Sequence, residues 1–321
     1  LDRGERSIEG ALMEALFAAL VRTTGARNEM LLEALQSLAV QSEPCAAIVI
    51  VHGSAEAFAQ VRQVCAGLTL VHFVHASNED ARRKRGYPVN AGIDYCLEHL
   101  PGAAYLFLLD DDDLVYPFFT SVMAAAFRAS SADLVYANTN RREAGKPLAP
   151  SYPLKHYRHL FDQNFIPSNG YAIRAEALRR SGVRVDEELE YLEDWLFLLN
   201  LLERGLRFHR IDMTLSEFRT ESDAEFAYRH DLEEWKANGL RIRKYINTTS
   251  FPLPGGDLAS LAQESAGAGE DQGRFADSSM TAALYRRIFE LEHSFSWRST
   301  APLRAIAASL LRLRGRVKAR A

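Results

Sequence analysis

The segment Ala46-Ala47-Ile48-Val49-Ile50-Val51 constrains this chain most. It is six apolar residues without a break, and four of them are β-branched. Such a run is a strand covered on both faces, which is the position of a central strand in a parallel sheet. It ends at His52-Gly53-Ser54, a turn that leads into a helix. A second run, Ala103–Leu109, is more apolar still and passes directly into Asp110-Asp111-Asp112-Asp113.

Other segments between Ala19 and Ala137 alternate between strand and helix patterns. Ala19–Thr23, Leu68–His75 and Asp133–Ala137 read as strands. Leu31, Leu35 and Leu38 recur at helical spacing behind Asn28, a candidate N-cap. Pro88 to His99 and Tyr116 to Ala129 read as helices, with Pro88 in a first turn. This alternation predicts an α/β fold with a doubly wound, mostly parallel sheet. In such sheets ligands bind beyond the carboxyl ends of the strands. After about Asn140 the rhythm weakens. Residues 141–168 are polar and rich in Pro, Tyr and His. Gly170–Arg174 reads as a strand and Leu192–Arg204 as a largely buried helix.

With 321 residues and 47% hydrophobic content the chain can bury a large core. Its net charge of −4 gives no general attraction to nucleic acid. Cys45, Cys65 and Cys96 are scattered and odd in number, which fits a reducing cytoplasm better than a disulfide framework. No apolar run reaches the roughly 18 residues that span a bilayer. No secretory signal is visible. The chain opens on Leu1 rather than Met, which reads as a piece of something longer. Residues 251–277 read as a flexible linker. Residues 278–321 read as a helical extension whose end, from Arg298 onward, has seven basic residues and no acid.

The four aspartates need a physical account. Two like charges about 4 Å apart repel by roughly 4 kcal/mol at an effective dielectric near 20. A buried strand end makes that worse, and a hard divalent cation would offset it. The alternative is a solvated acidic turn in which Asp113 caps the next helix. Glu193-Asp194 opens the later buried helix. The pair serves either the helix dipole or, at a cleft edge, a general base. Arg82-Arg83-Lys84-Arg85 is a basic patch that suits either a diphosphate or solvent. No G-x-G-x-x-G, G-x-x-x-x-G-K-[ST] or G-x-S-x-G signature is present, which argues against dinucleotide enzymes, P-loop NTPases and α/β-hydrolases.

Taken together, Ala19 to Arg219 resembles the family 2 glycosyltransferases of GT-A fold. Val21–Arg27 resembles their first strand and nucleotide-side loop, and Ile48–Ser54 their second strand. Leu108–Leu114 with Pro117 resembles their D-x-D region, and Tyr191–Trp195 the E-D segment. Arg85–Gly92 fits a segment near the donor, and Pro167–Arg174 the acceptor-side strand. The resemblance implies an inverting sugar transfer from a nucleotide-sugar to a glycan or lipid-linked acceptor. It implies a catalytic domain over 1–250, with a nucleotide half at 19–140 and an acceptor half at 141–250. Asp194 would be the base, supported by Glu193. Asp112 would hold Mn2+ or Mg2+. Thr23, Arg27, His52, Arg85, Asn90, Asp110 and Asp111 would surround the donor, with Asn169, Gly170 and Trp195 on the acceptor side.

Two positions depart from the pattern. His52-Gly53 replaces an Asp-rich turn, and Val89 replaces an Arg before Asn90. Ser294–Arg304 resembles a short motif of bacterial surface-polysaccharide and O-antigen enzymes. With the basic helix after it, it suits the inner-membrane surface or packing within the chain. Two other function classes stay open: a nucleotidyltransferase, and a non-catalytic nucleotide-sugar or glycan-binding module.

Overall fold

The computed structural model describes residues 15–77, 84–143, 148–151, 155–220 and 231–252. The expected helical extension over 278–321, the Ser294–Arg304 motif, nearly all of the expected linker, and Arg82 and Arg83 lie outside the described residues.

The apolar run at Ala46 forms the heart of strand β2 (Cys45–Gly53). Its neighbours are β1 (Phe17–Thr23) and β3 (Val71–Ser77), both parallel to it. On its other side β1 pairs in parallel with β4 (Tyr105–Asp110), so β1 lies between the two most apolar strands. Beyond β4 the sheet continues through later strands. These are β5 (Leu114–Val115), β6 (Leu134–Glu143), β7 (Ala149–Pro150), β8 (Tyr171–Arg174) and β9 (Phe208–Thr220). The order is β3-β2-β1-β4-β8-β6-β9-β5, with β7 paired to β6. The parallel pairings, including β6 with β9, are the long ones. The antiparallel pairings extend over only two or three residue pairs each.

Helices cover both faces, because successive strand side chains point to opposite sides. Ala18, Leu20, Ile48, Ile50 and Leu106 pack with Ile93 of α3 (Gly86–His99) and Phe197 and Leu201 of α6 (Glu193–Glu203). Ala175 and Leu178 of α5 (Ala175–Ser181) join this face. Phe17, Ala19, Val21, Val49 and Phe107 pack with Leu31 and Leu35 of α1 (Asn28–Ala39), Val61 of α2 (Ala55–Val64) and Met123 of α4 (Phe119–Ala129). Each fully buried Leu, Ile or Phe contributes roughly 1.5–3 kcal/mol of hydrophobic stabilisation. The doubly wound α/β arrangement expected from the sequence is therefore present.

Two expected caps are not used. Asn28 is the first residue of α1, not its N-cap. Arg27 takes the cap position, and its carbonyl accepts from Leu31 N at 2.9 Å. The reason is the turn before it, where Gly25 has φ +81° and its N–H bonds Thr23 Oγ1 at 3.0 Å. Asp113 does not cap α4, whose cap residue is Phe118. The chain spends β5 between them, and the Asp113 carboxylate turns inward to accept from Arg219 N at 3.3 Å. Ser54 does cap α2, accepting from Ala57 N at 3.3 Å. The last described helix is α7 (Leu232–Thr248), capped by Asp231.

The start of α3 presses against the segment before α6. A Cβ on Gly86 would lie 2.3 Å from the Asp186 carbonyl oxygen, so only glycine fits there. Gly86→Ala should therefore lower stability by about 2 kcal/mol through forced backbone displacement. A urea titration checks this, and an unchanged midpoint would show that the contact is loose.

Candidate active site

The strand order places a reversal between β1 and β4. The chain runs outward from β1 through β2 to β3, then crosses back to β4 on the other side of β1. A crevice opens at such a switch point, beyond the carboxyl ends of the strands. Arg22 and Asp110 are registered partners at this point. Their side chains form a bidentate pair, Nε to Oδ1 at 3.0 Å and Nη2 to Oδ2 at 3.1 Å. Burial by itself would raise the Asp110 carboxyl, but Arg22, with help from Arg85, outweighs it and holds the group below its ordinary range. Burial opposes the charge on Arg22 too. Asp110 and Glu193 overcome that and raise its pKa further.

Arg22 also faces the opposite edge of the crevice. Its Nη1 lies 3.5 Å from Glu193 Oε1, and Arg85 Nε lies 3.3 Å from the same oxygen. Arg22 Nη1 donates to the Arg85 carbonyl at 3.4 Å as well. One guanidinium therefore ties the end of β4 to the start of α6 and the residue before α3.

The neighbouring residues serve the other side of the sheet. Thr23 donates to Asp111 Oδ2 at 2.6 Å. Arg27, half-exposed, pairs with Asp111 Oδ1 at 2.6 Å and also with Asp112. Burial is the main cause that lifts Asp111, Asp112 and Asp113 above the ordinary carboxylate range. Repulsion between the aspartates adds to it, and Asp113 is raised well above the ordinary range. The run expected as one cluster is in fact distributed: Asp110 to Arg22, Asp111 and Asp112 to Arg27, Asp113 to a backbone N–H of β9.

Helix α6 begins abruptly. Leu192 before it has φ +65°, a left-handed conformation that is costly for a branched residue. The next two residues are the acids. Glu193 is buried beneath the two arginines. Asp194 accepts from Trp195 N at 2.8 Å through Oδ1 and from Asn164 Nδ2 at 2.8 Å through Oδ2. Burial, with the charge of Glu193 beside it, pushes the Asp194 carboxyl up to about 6. Such a group is mostly ionised at neutral pH yet a stronger base than an ordinary aspartate.

A cleft of about 180 Å³ is lined by Arg22, Thr23, Thr24, Arg27, His52, Arg85, Asp110 and Asp111. Of the residues read from the sequence as donor-side, Thr23, Arg27, His52, Arg85, Asp110 and Asp111 meet there. Asn90 is placed differently. It is buried and holds Val185, donating to its carbonyl at 2.9 Å and accepting from its N–H at 2.8 Å. The three residues read from the sequence as acceptor-side are buried as well. Asn169 donates to the Glu217 carbonyl at 3.1 Å, and a Cβ on Gly170 would lie 2.9 Å from Thr139 Oγ1. Trp195 sits in the core with its indole N–H on the Leu160 carbonyl at 2.7 Å. Sequence reading missed Arg22 and Asn164. A charged residue directly after the apolar segment Phe17–Val21, still within the strand, was the available signal for Arg22; Asn164 had none, standing in a stretch without periodicity.

No protein-family model matches the chain, and no curated protein matches its sequence. Solved structures do match. The chain has the fold of TarS. Against S. aureus TarS the identity is 16% and the TM-score 0.51, over 64% of this chain and 36% of that one. Against TarS 1–349 in complex with UDP-GlcNAc the values are 17% and 0.52, over 64% of this chain and 58% of that one. TarS 1–349 in complex with UDP gives 18% and 0.50, over 64% and 60%. This chain thus spans less than two thirds of each of these structures. TarS is a family 2 glycosyltransferase of GT-A-like fold, so the expected sheet and its winding are those observed.

Removing one partner of this partly buried pair strands the other charge. Arg22→Met should cost about 3 kcal/mol, and adding Asp110→Asn to it should recover part of the loss. A double-mutant cycle by denaturant unfolding measures this. Strictly additive effects would mean that the two side chains do not interact.

Proposed function

We propose that this chain is an inverting glycosyltransferase that moves a sugar from a nucleotide-sugar to an acceptor hydroxyl. The observation that carries the reading is the Arg22 bridge. It joins the donor-side carboxylate Asp110 to Glu193, next to Asp194, across a switch-point crevice. The donor-side carboxylate and the residue next to a base of raised pKa are thus joined through one guanidinium across the crevice. TarS has been solved with UDP-GlcNAc and with UDP, which makes UDP-GlcNAc the first donor to test.

In this reading the acceptor oxygen attacks the anomeric carbon and its proton passes to Asp194. The bond to the diphosphate breaks, and its electron pair leaves with the nucleoside diphosphate. Glu193, held by Arg22 and Arg85, keeps a negative charge beside Asp194 and so keeps it basic. Arg85 and Arg27 line the cleft and offer cationic contacts to the diphosphate.

The residues fit a hard divalent cation at Asp112. That carboxylate is partly exposed and its ion pair is with the half-exposed Arg27. No group of three or more His, Cys, Asp or Glu that could hold a metal exists among the described residues. In this reading Asp112 would be the one carboxylate of the chain to hold the ion. When bound, Mn2+ or Mg2+ would stabilise charge on the leaving diphosphate. The acceptor is proposed to be a glycan or a lipid-linked glycan. No helix among the described residues is long and apolar enough to cross a membrane. Contact with a membrane surface through the basic C-terminal segment is part of the proposal.

Thermal unfolding with UDP-GlcNAc, with and without Mn2+, tests the donor half. Stabilisation of about 2.7 kcal/mol is expected at a hundredfold excess over Kd. It should need the metal and vanish in Asp112→Asn; an equal response of both proteins would remove the ion from Asp112. For the other half, Asp194→Asn should bind donor normally and lose transfer by roughly 10²–10⁴-fold.

The rate itself should follow pH. A base with a pKa of about 6 is protonated below that value, so transfer should fall tenfold per unit as pH drops below about 6. A flat profile down to pH 4.5 would refute Asp194 as the base.

A further inference from the structure

Asn164 lies between two short 3-10 turns, Tyr157–Phe161 and Ser168–Gly170. The segment around it is anchored on both sides. Before it, the Leu160 carbonyl accepts the Trp195 indole N–H at 2.7 Å, which fastens the first turn to α6. After it, Phe165 and Ile166 are buried in the core. The Asn164 side chain is fixed as well, because its Oδ1 accepts from Ile166 N at 3.1 Å. That bond decides the sense of the amide. The carbonyl oxygen must face Ile166, so the NH₂ group must face Asp194, to which it donates at 2.8 Å.

We propose that Asn164 is the positioning residue of Asp194: its amide fixes the carboxylate's orientation and holds it in the ionised form that takes a proton. This rests on the reading of Asp194 as the general base. Two donors then share the carboxylate, Trp195 N on one oxygen and Asn164 on the other. Each oxygen keeps a free lone pair for an acceptor hydroxyl. An amide NH₂ cannot accept a proton, so Asn164 steadies the base without draining it.

Several charged groups bear on Asp194, and they do not all act in one direction. Glu193 on α6 favours the protonated form, while Arg85 before α3 and Arg22 on β1 favour the ionised one. Tyr171 on β8 is buried and stays neutral, its hydroxyl pushed up by burial and by the nearby Asp194 and Glu193. Asn164 adds a neutral donor to the ionised side of this balance. A hydrogen bond to a carboxylate favours its charged state.

The test needs no substrate. The full chain is labelled with ¹³C at aspartate carboxyl groups and titrated by NMR, and the Asp194 signal is assigned by its loss in Asp194→Asn. Asn164→Ala and Asn164→Ser should raise the Asp194 midpoint by roughly one to two units. Asn164→Asp should raise it further, since a second carboxylate would then face the first. Phe165→Leu loosens the same segment without touching the hydrogen bond and should leave the midpoint in place. An unmoved midpoint in folded Asn164→Ala would overturn the proposal. So would an equal rise in Phe165→Leu, which would make the effect one of loop packing. The base reading fails separately: transfer at the wild-type rate in Asp194→Asn would end it and leave the titration standing.

Discussion

The bidentate bond between Arg22 and Asp110 is the constraint on which the rest of the cleft depends. Two charges leave water at the end of a sheet, and the cost is offset only by close geometry on both sides. Parallel pairing supplies that geometry, because it puts residue 22 of β1 directly opposite residue 110 of β4. Arg22 then has one guanidinium edge left, and it points at Glu193. The direction of α6, the place of Arg85 and the environment of Asp194 all follow from where that edge can reach.

Strand alternation explains how four consecutive acids are tolerated. Residues 22 and 110 face the side covered by α3 and α6, while 23 and 111 face the side covered by α1 and α4. The aspartates are neighbours in sequence but answer to different partners in space. The two faces also divide the labour. One holds the Arg22 network and the acids of α6, and the other holds Thr23, Arg27 and the partly exposed Asp112.

The sheet was legible because its inner strands are nearly pure runs of apolar residues. Cys45–Gly53 and Tyr105–Asp110 could hardly be anything else. Strand β9 was not, although it is the longest at 13 residues. Its sequence mixes Arg, Asp and Glu with apolar residues, and its pairing with β6 is broken by two register shifts that spoil any period of two. Helix α7 escaped notice because it is mostly polar and exposed. In the cleft, the sequence marked the charged residues at strand ends. It could not separate Trp195 the core anchor from Trp195 the cleft residue, since an aromatic beside an acidic pair suits either. Nor could it show Asn164, whose importance comes from chain segments 30 residues apart meeting at one carboxylate.

Arg27 has a consequence for how this cleft would behave toward ligands. Its half-exposed guanidinium already sits between Asp111 and Asp112. The resting protein therefore does not present an open anionic hole to every passing cation. Whatever approaches Asp112 must do so by exchange, and its affinity is the difference between two ion pairs rather than the strength of one. Modest binding would then be a property of the design. The arginine that fills this place at rest would return to it when such a ligand departs.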